Sequence, residues 1–263
     1  MKVFSKSRLG MGLVVAATAL LAACGGGDDG IDDRLDLADP QIRVMHVIPP
    51  LPVALNVDVL QNGARTNLSN VQYKAVSKYW DVDRGNQLIS INNAGSNVEL
   101  SRAVIDAATG HKYTVVALPG EGVADLMVID DPYDKGLISD KARVRALNVS
   151  RNAQNIDVYL TAPETDINAV APTFANVGYK QAVPASRSDS QELEGGTYRL
   201  RVTTAGSKAV IFDSGSVSLD DNADWLITTI PAEGIGAVVP NNIKVLVAKA
   251  NDDSQTAVEL TKQ

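Results

Sequence analysis

Asn56-Val-Asp-Val59 returns later in the chain as Asn155-Ile-Asp-Val158. In each copy, apolar residues alternate with polar ones, the two-residue period of a strand with one buried face. Outward from this stretch the recurrence continues. Arg43-Val-Met-His46-Val47 returns as Arg145-Ala-Leu-Asn148-Val149, and Asn70-Val-Gln-Tyr-Lys74 as Asn176-Val-Gly-Tyr-Lys180. Gly85, Ile89, Ile91 and Ala94-Gly-Ser96 match Gly196, Leu200, Val202 and Ala205-Gly-Ser207. Leu118-Pro119, Glu121 and Gly122 match Ile230-Pro231, Glu233 and Gly234. The order never breaks, and the spacing widens mainly in two loops of the second copy. Such self-similarity implies two units of one design.

Short runs rich in Val, Ile, Leu and Thr, bounded by Gly, Asn, Asp and Pro, extend this reading to most of the chain. Leu88-Ile-Ser-Ile91, Tyr113-Thr-Val-Val-Ala-Leu118, Tyr198-Arg-Leu-Arg-Val202 and Lys244-Val-Leu-Val-Ala248 are examples. No segment carries a long 3.6-residue period with helix caps. The expected fold is all-β, as two tandem β-sandwich domains over residues 41–130 and 141–250. The linking residues Asp130 to Asp140 contain Pro132 and Gly136 and are too few to let the domains tumble freely, so a semi-rigid tandem with a modest interface is expected. Residues 251–263 read as a polar tail.

The N-terminus reads as an export signal over residues 1–23. Lys2, Lys6 and Arg8 precede an apolar run from Leu9 to Ala23, which is shorter than the roughly 20 residues of a spanning helix. Leu21-Ala-Ala-Cys24 resembles the bacterial lipobox, which implies cleavage before Cys24 and acylation of that residue. Several acyl chains hold a protein on a membrane where one chain binds only marginally. By resemblance to lipoprotein sorting, Gly25 after the cysteine points to the outer membrane. After the lipidated Cys24, residues 25–40 form a tether rich in glycine and aspartate. Sixteen residues reach at most ~55 Å, and average ~20–25 Å as a flexible coil.

Cys24 is the only cysteine, so a lipidated chain has no thiol, disulfide or cysteine metal ligand. The formal charge of -7 becomes more negative once the three basic residues of the signal are removed. So acidic a chain lacks the basic stripe that nucleic acid requires. With 45% apolar residues it has enough material for a core without disulfides.

The ordered set R-V-x-H/N-V, x-V-D-V, N-V-x-Y, A-G-S and L/I-P-x-E-G resembles the DUF4397 family, once per repeat. That resemblance implies an immunoglobulin-like or transthyretin-like sandwich in exported, often lipid-anchored bacterial proteins. The family has no established activity, so no catalytic residue is carried over. Ser150-Arg-Asn-Ala departs from the family's Pro-containing turn.

Residues that carry chemistry are sparse. His46 stands where the second copy has Asn148, and both side chains can serve a structural hydrogen bond. His111 lies in a turn entering a strand and is expected to face solvent. G-x-S-x-G, S-x-x-K and phosphate-loop patterns are absent. No catalytic residue, cofactor or strong metal site is expected. Asp130, Asp131 and Asp134 are weak calcium candidates at the domain junction. Tyr79 and Trp80 beside Asp81 and Asp83 form the first ligand-binding candidate, as a stacking platform for a sugar. The loop from Thr161 to Phe174 is the second. Tyr73 and Tyr179 are expected to anchor their own domains. These readings suggest a lipid-anchored envelope protein that binds or scaffolds, with a polysaccharide or an envelope protein as partner. An envelope glycan-acting enzyme that uses carboxylates, or a purely structural spacer, are the alternatives.

Overall fold

The computed structural model describes residues 38–50, 54–136 and 138–263. The expected signal peptide, Cys24 and the tether up to residue 37 lie outside the described residues. Eighteen strands account for nearly all of the regular structure. The first eight are β1 (Gln41–His46), β2 (Val57–Gln61), β3 (Ala64–Arg65), β4 (Trp80–Asp81), β5 (Gly85–Asn93), β6 (Glu99–Ala107), β7 (Lys112–Pro119) and β8 (Ala124–Asp131). The next five are β9 (Ala142–Asn148), β10 (Ile156–Thr161), β11 (Phe174–Val177), β12 (Gln181–Val183) and β13 (Gln191–Leu193). The last five are β14 (Gly196–Thr204), β15 (Val210–Leu219), β16 (Asp224–Pro231), β17 (Ile243–Lys249) and β18 (Val258–Glu259). No helix among the described residues is long and apolar enough to cross a membrane.

The strands form four sheets. The first outer sheet has the order β3-β2-β5-β6, and the first inner sheet β4-β1-β7-β8. The second inner sheet has the order β12-β9-β16-β17-β18, with β13 also paired to β9, and the second outer sheet β11-β10-β14-β15. One core lies between the first two sheets, built on Val44, Val59, Ile89, Ile91 and Val115. Another lies between the last two, on Val144, Val158, Leu200, Val202, Phe212 and Ile227. The fold is an all-β sandwich architecture. In each inner sheet one pair is parallel, β1 with β7 and β9 with β16.

The recurring Asn-x-Asp-Val stretch has a structural job. Asp58 accepts from the backbone N–H groups of Asn70 and Gly95, at 2.9 and 3.1 Å. Asp157 accepts from those of Asn176 and Gly206, at 2.7 and 2.9 Å. One carboxylate thus ties the Asn-Val-x-Tyr loop and the Ala-Gly-Ser turn to the same strand by accepting from a backbone N–H of each.

The interface between the sandwiches is larger than expected. A third core runs between the two inner sheets: Met45, Val47, Val116, Leu118 and Ile129 face Leu147, Val149, Leu226, Ile230 and Leu246. Burying a large apolar side chain is worth roughly 1.5–3 kcal/mol, so this seam is a third hydrophobic core rather than a modest contact. Its signature is the burial of β1, β7, β9 and β16 on both faces. In β1, Ile42 and Val44 point into the first core while Arg43 and Met45 point into the seam.

The expected polar tail is also structured. β18 extends the second inner sheet through pairing with β17, and Ala257 is buried in the seam. The Val76 N–H donates to the Gln255 carbonyl and the Ala257 N–H to the Lys74 carbonyl, so the C-terminal segment also ties the second unit to the first. Its apolar alternation, Ala257-Val258-Glu259-Leu260, is too short to stand out from polar surroundings.

Candidate functional site

One end of the seam is ionic. Arg143 and Arg145, both buried, converge on Asp131 at 2.6 and 3.3 Å, and Ser190 Oγ donates to the same carboxylate at 2.6 Å. Burial opposes the ionised form of Asp131, but the two guanidiniums outweigh it and hold the carboxyl below the usual range. Asp224 lies in the same region, where burial pushes its carboxyl up against the pull of Arg43. Tyr133 is held between Lys112 and Arg143, whose charged groups lie 3.6 and 4.6 Å from the ring centre. The free space at this end, about 10 Å³, is on the order of a single water. It can lock two sheets together; it cannot admit an organic ligand.

The opposite end is a pair of clasps. Lys74 reaches from the first Asn-Val-x-Tyr-Lys stretch to Glu233 and Glu259 of the second unit, both at 2.6 Å. Lys180, in the equivalent stretch of the second unit, reaches back to Asp125 of the first. Arg151 donates to the carbonyls of Pro119 and Gly120 at 3.0 and 3.2 Å, so the Ser150-Arg-Asn-Ala departure serves as a bridge across the seam. Tyr73 packs against the seam rather than within its own domain's core, and burial pushes its hydroxyl up to about 12.

The sequence candidates disperse. Tyr79 lies at the ionic end, its ring 4.7 Å from the Arg43 guanidinium, and burial pushes its hydroxyl up to about 12. Trp80 faces the other side, packed against the first core, with Nε1 donating to Gln61 at 3.0 Å. With Tyr79 on Arg43 and Trp80 on the first core and Gln61, the two rings do not make one stacking platform. Asp81 accepts from Gln41 Nε2 at 2.9 Å, and Asp83 offers its backbone carbonyl to Gln87. The junction acids also separate. Asp131 turns inward onto the arginines, and Asp130 takes a 2.7 Å contact from His111 Nδ1, which is half-buried rather than fully in solvent. Asp134 receives Arg143 only at its backbone carbonyl. No group of three His, Cys, Asp or Glu side chains suited to a metal is found among the described residues. His46 is fully buried, with Nε2 at 2.8 Å from the Leu55 carbonyl; Asn148 donates to the Val177 carbonyl at 3.1 Å. The Thr161–Phe174 loop is pinned from beneath, as Lys208 binds the Ile167 and Val170 carbonyls and Arg201 the Thr165 carbonyl.

A groove of about 400 Å³ remains beside the first clasp, between the loop over residues 67–77 and the C-terminal segment. Asn67, Ser69, Asn70, Gln72, Tyr73 and Gln255 lie along it. Asn70 and Lys74 adopt positive φ angles of 54° and 72°, and Asp58 fixes the Asn70 end of the loop. Sequence reading missed this site because the run Asn67-Leu-Ser-Asn70 reads as an ordinary turn and its far wall comes from a segment read as a tail.

Residues 40–159 match the family model for a domain of unknown function, DUF4397. The chain carries a DUF4397 domain. The match covers the first sandwich and runs on through β9 into β10, so the DUF4397 region includes strands on both sides of the seam. No curated protein sequence matches the chain. A solved structure of CBMbc (family CBM26) from Eubacterium rectale Amy13K in complex with maltoheptaose aligns over 82% of this chain and 99% of that chain. Identity is 10% and the TM-score 0.23, too low to relate the two folds.

Proposed function

We propose that this is a lipid-anchored, non-catalytic protein of the bacterial cell envelope, held at the outer membrane through Cys24, which binds or scaffolds a partner there. The observation that carries the binding role is the groove beside the first clasp. It is open, of ligand size, and set on a body whose two sandwiches share a buried seam. A rigid scaffold that presents a loop groove is a recurrent arrangement for binding. Acids elsewhere are committed to structure: Asp58 and Asp157 tie loops, and Asp131 neutralises two arginines. The anchor reading is supported by the lipobox-like Leu21-Ala-Ala-Cys24 and the acidic spacer after it.

Protease treatment of intact cells tests this reading, with membrane fractionation of wild type and Cys24→Ala. The expected result is that wild type sediments with outer membranes and the Cys24→Ala protein is released as soluble protein. A Cys24→Ala protein that stays in the membrane contradicts the lipid anchor. Cleavage on whole cells places the partner outside the cell; protection until the outer membrane is opened places it in the periplasm.

A further inference from the structure

We propose that the groove between residues 67–77 and the C-terminal segment is a binding site for a neutral oligosaccharide. This deepens the binding role above and rests on it. The chain is strongly acidic, with 21% charged residues, yet no residue that lines this groove carries a charge. The nearest cation, Lys74, is committed to Glu233 and Glu259. The groove offers side-chain amides and hydroxyls instead. Among the described residues, the side chains of Asn67, Ser69, Gln72 and Gln255 have no hydrogen-bond partner. Tyr73 borders the groove, while its hydroxyl is buried. Leu68 and Val71 supply apolar surface between them. Amides and hydroxyls that both donate and accept, next to apolar and aromatic surface, match a sugar's alternating hydroxyls and C–H faces. An anionic polymer gains no cation here and meets the chain's net negative charge.

An extended peptide is a poorer fit. Peptides that add to a sheet edge need free backbone groups. Here the N–H groups of Val71, Lys74, Ala75, Val76 and Ser77 already donate to Val57, His46, Gln72, Gln255 and Val44. What the groove leaves open is side-chain chemistry.

The test uses the full chain without its signal, carrying Cys24→Ala for solubility. It is titrated calorimetrically with cellohexaose, maltohexaose and N-acetylchitohexaose, with hexagalacturonate as the anionic counterpart and an uncharged decapeptide as the peptide control. The expected result is saturable binding of at least one neutral hexasaccharide and none of hexagalacturonate or peptide. Asn67→Ala/Gln72→Ala is expected to weaken that binding at least tenfold, with an unchanged melting temperature. Trp80→Phe, outside the groove, is expected to leave binding unchanged. The proposal is overturned if no neutral hexasaccharide binds at millimolar concentration, if the groove variants bind as wild type does, or if hexagalacturonate or the peptide binds instead. A negative titration leaves the envelope anchor standing, because fractionation reads that separately.

Discussion

The two sandwiches use the same residues for the same tasks where they meet, and different residues where they face outward. Asp58 and Asp157 tie equivalent loops, and Lys74 and Lys180 each cross to the opposite unit. Met45 and Leu147, at matching strand positions, both enter the seam. Away from it the units diverge. The second has a long loop pinned by Lys208 and Arg201, whereas the first has a shorter loop beside an open groove. The lesson is that the recurring motifs describe assembly, and that in the first unit the Asn70-Val-Gln-Tyr73 copy of one such motif also borders an open groove.

The sharpest way to break this comparison is to attack the ionic end of the seam. Asp131→Asn leaves Arg143 and Arg145 buried without their anion, and losses of this kind run to about 3–5 kcal/mol. Asp213→Asn removes an ion pair with Arg199 on the second outer sheet and is expected to cost about 1 kcal/mol or less. Urea titration of both variants checks the contrast; equal losses would mean that the seam is no more buried than the rim. Next in size is Leu246→Ala, which opens a cavity in the apolar seam and is expected to cost about 2–5 kcal/mol. A midpoint unchanged from wild type would show that the inner sheets do not pack in solution.

The smallest expected effect separates His46 from Asn148. Burial lowers the His46 pKa below its ordinary 6.5, so folding favours the neutral ring. Its contribution is therefore fully present above pH 6.5 and is lost as pH falls from there toward the folded value. His46→Asn installs the side chain that the second unit uses and is expected to flatten the fall in stability just below pH 6.5. Denaturation midpoints across that range provide the check, and an unaltered slope would exclude His46 as its source.

Much of the fold was legible in the sequence. Leu88-Ile-Ser-Ile91 and Tyr113–Leu118 read as strands, and they lie in β5 and β7. The depth of the seam was not legible, because nothing local marks Arg143 and Arg145 as buried: Asp131 and the carbonyls of Pro184, Ala185 and Ser188 receive them. Arg145 is bound by carbonyls distant in sequence, and no local pattern announces such partners. Tyr79 and Trp80 misled for a simpler reason: adjacent aromatics suggest a platform, but one ring packs on Arg43 and the other on the first core. The groove escaped notice because its two walls are separated by about two thirds of the chain.

Two sandwiches that share a buried seam are expected to unfold as one cooperative body. The chain has two tryptophans, Trp80 packed on the first core and Trp225 in the second. Fluorine-labelled tryptophan followed by NMR through a urea titration reads each sandwich separately in the same sample. Loss of both native resonances at one urea concentration is the result predicted for a shared seam. Separate midpoints, with one tryptophan still native after the other has unfolded, would contradict it.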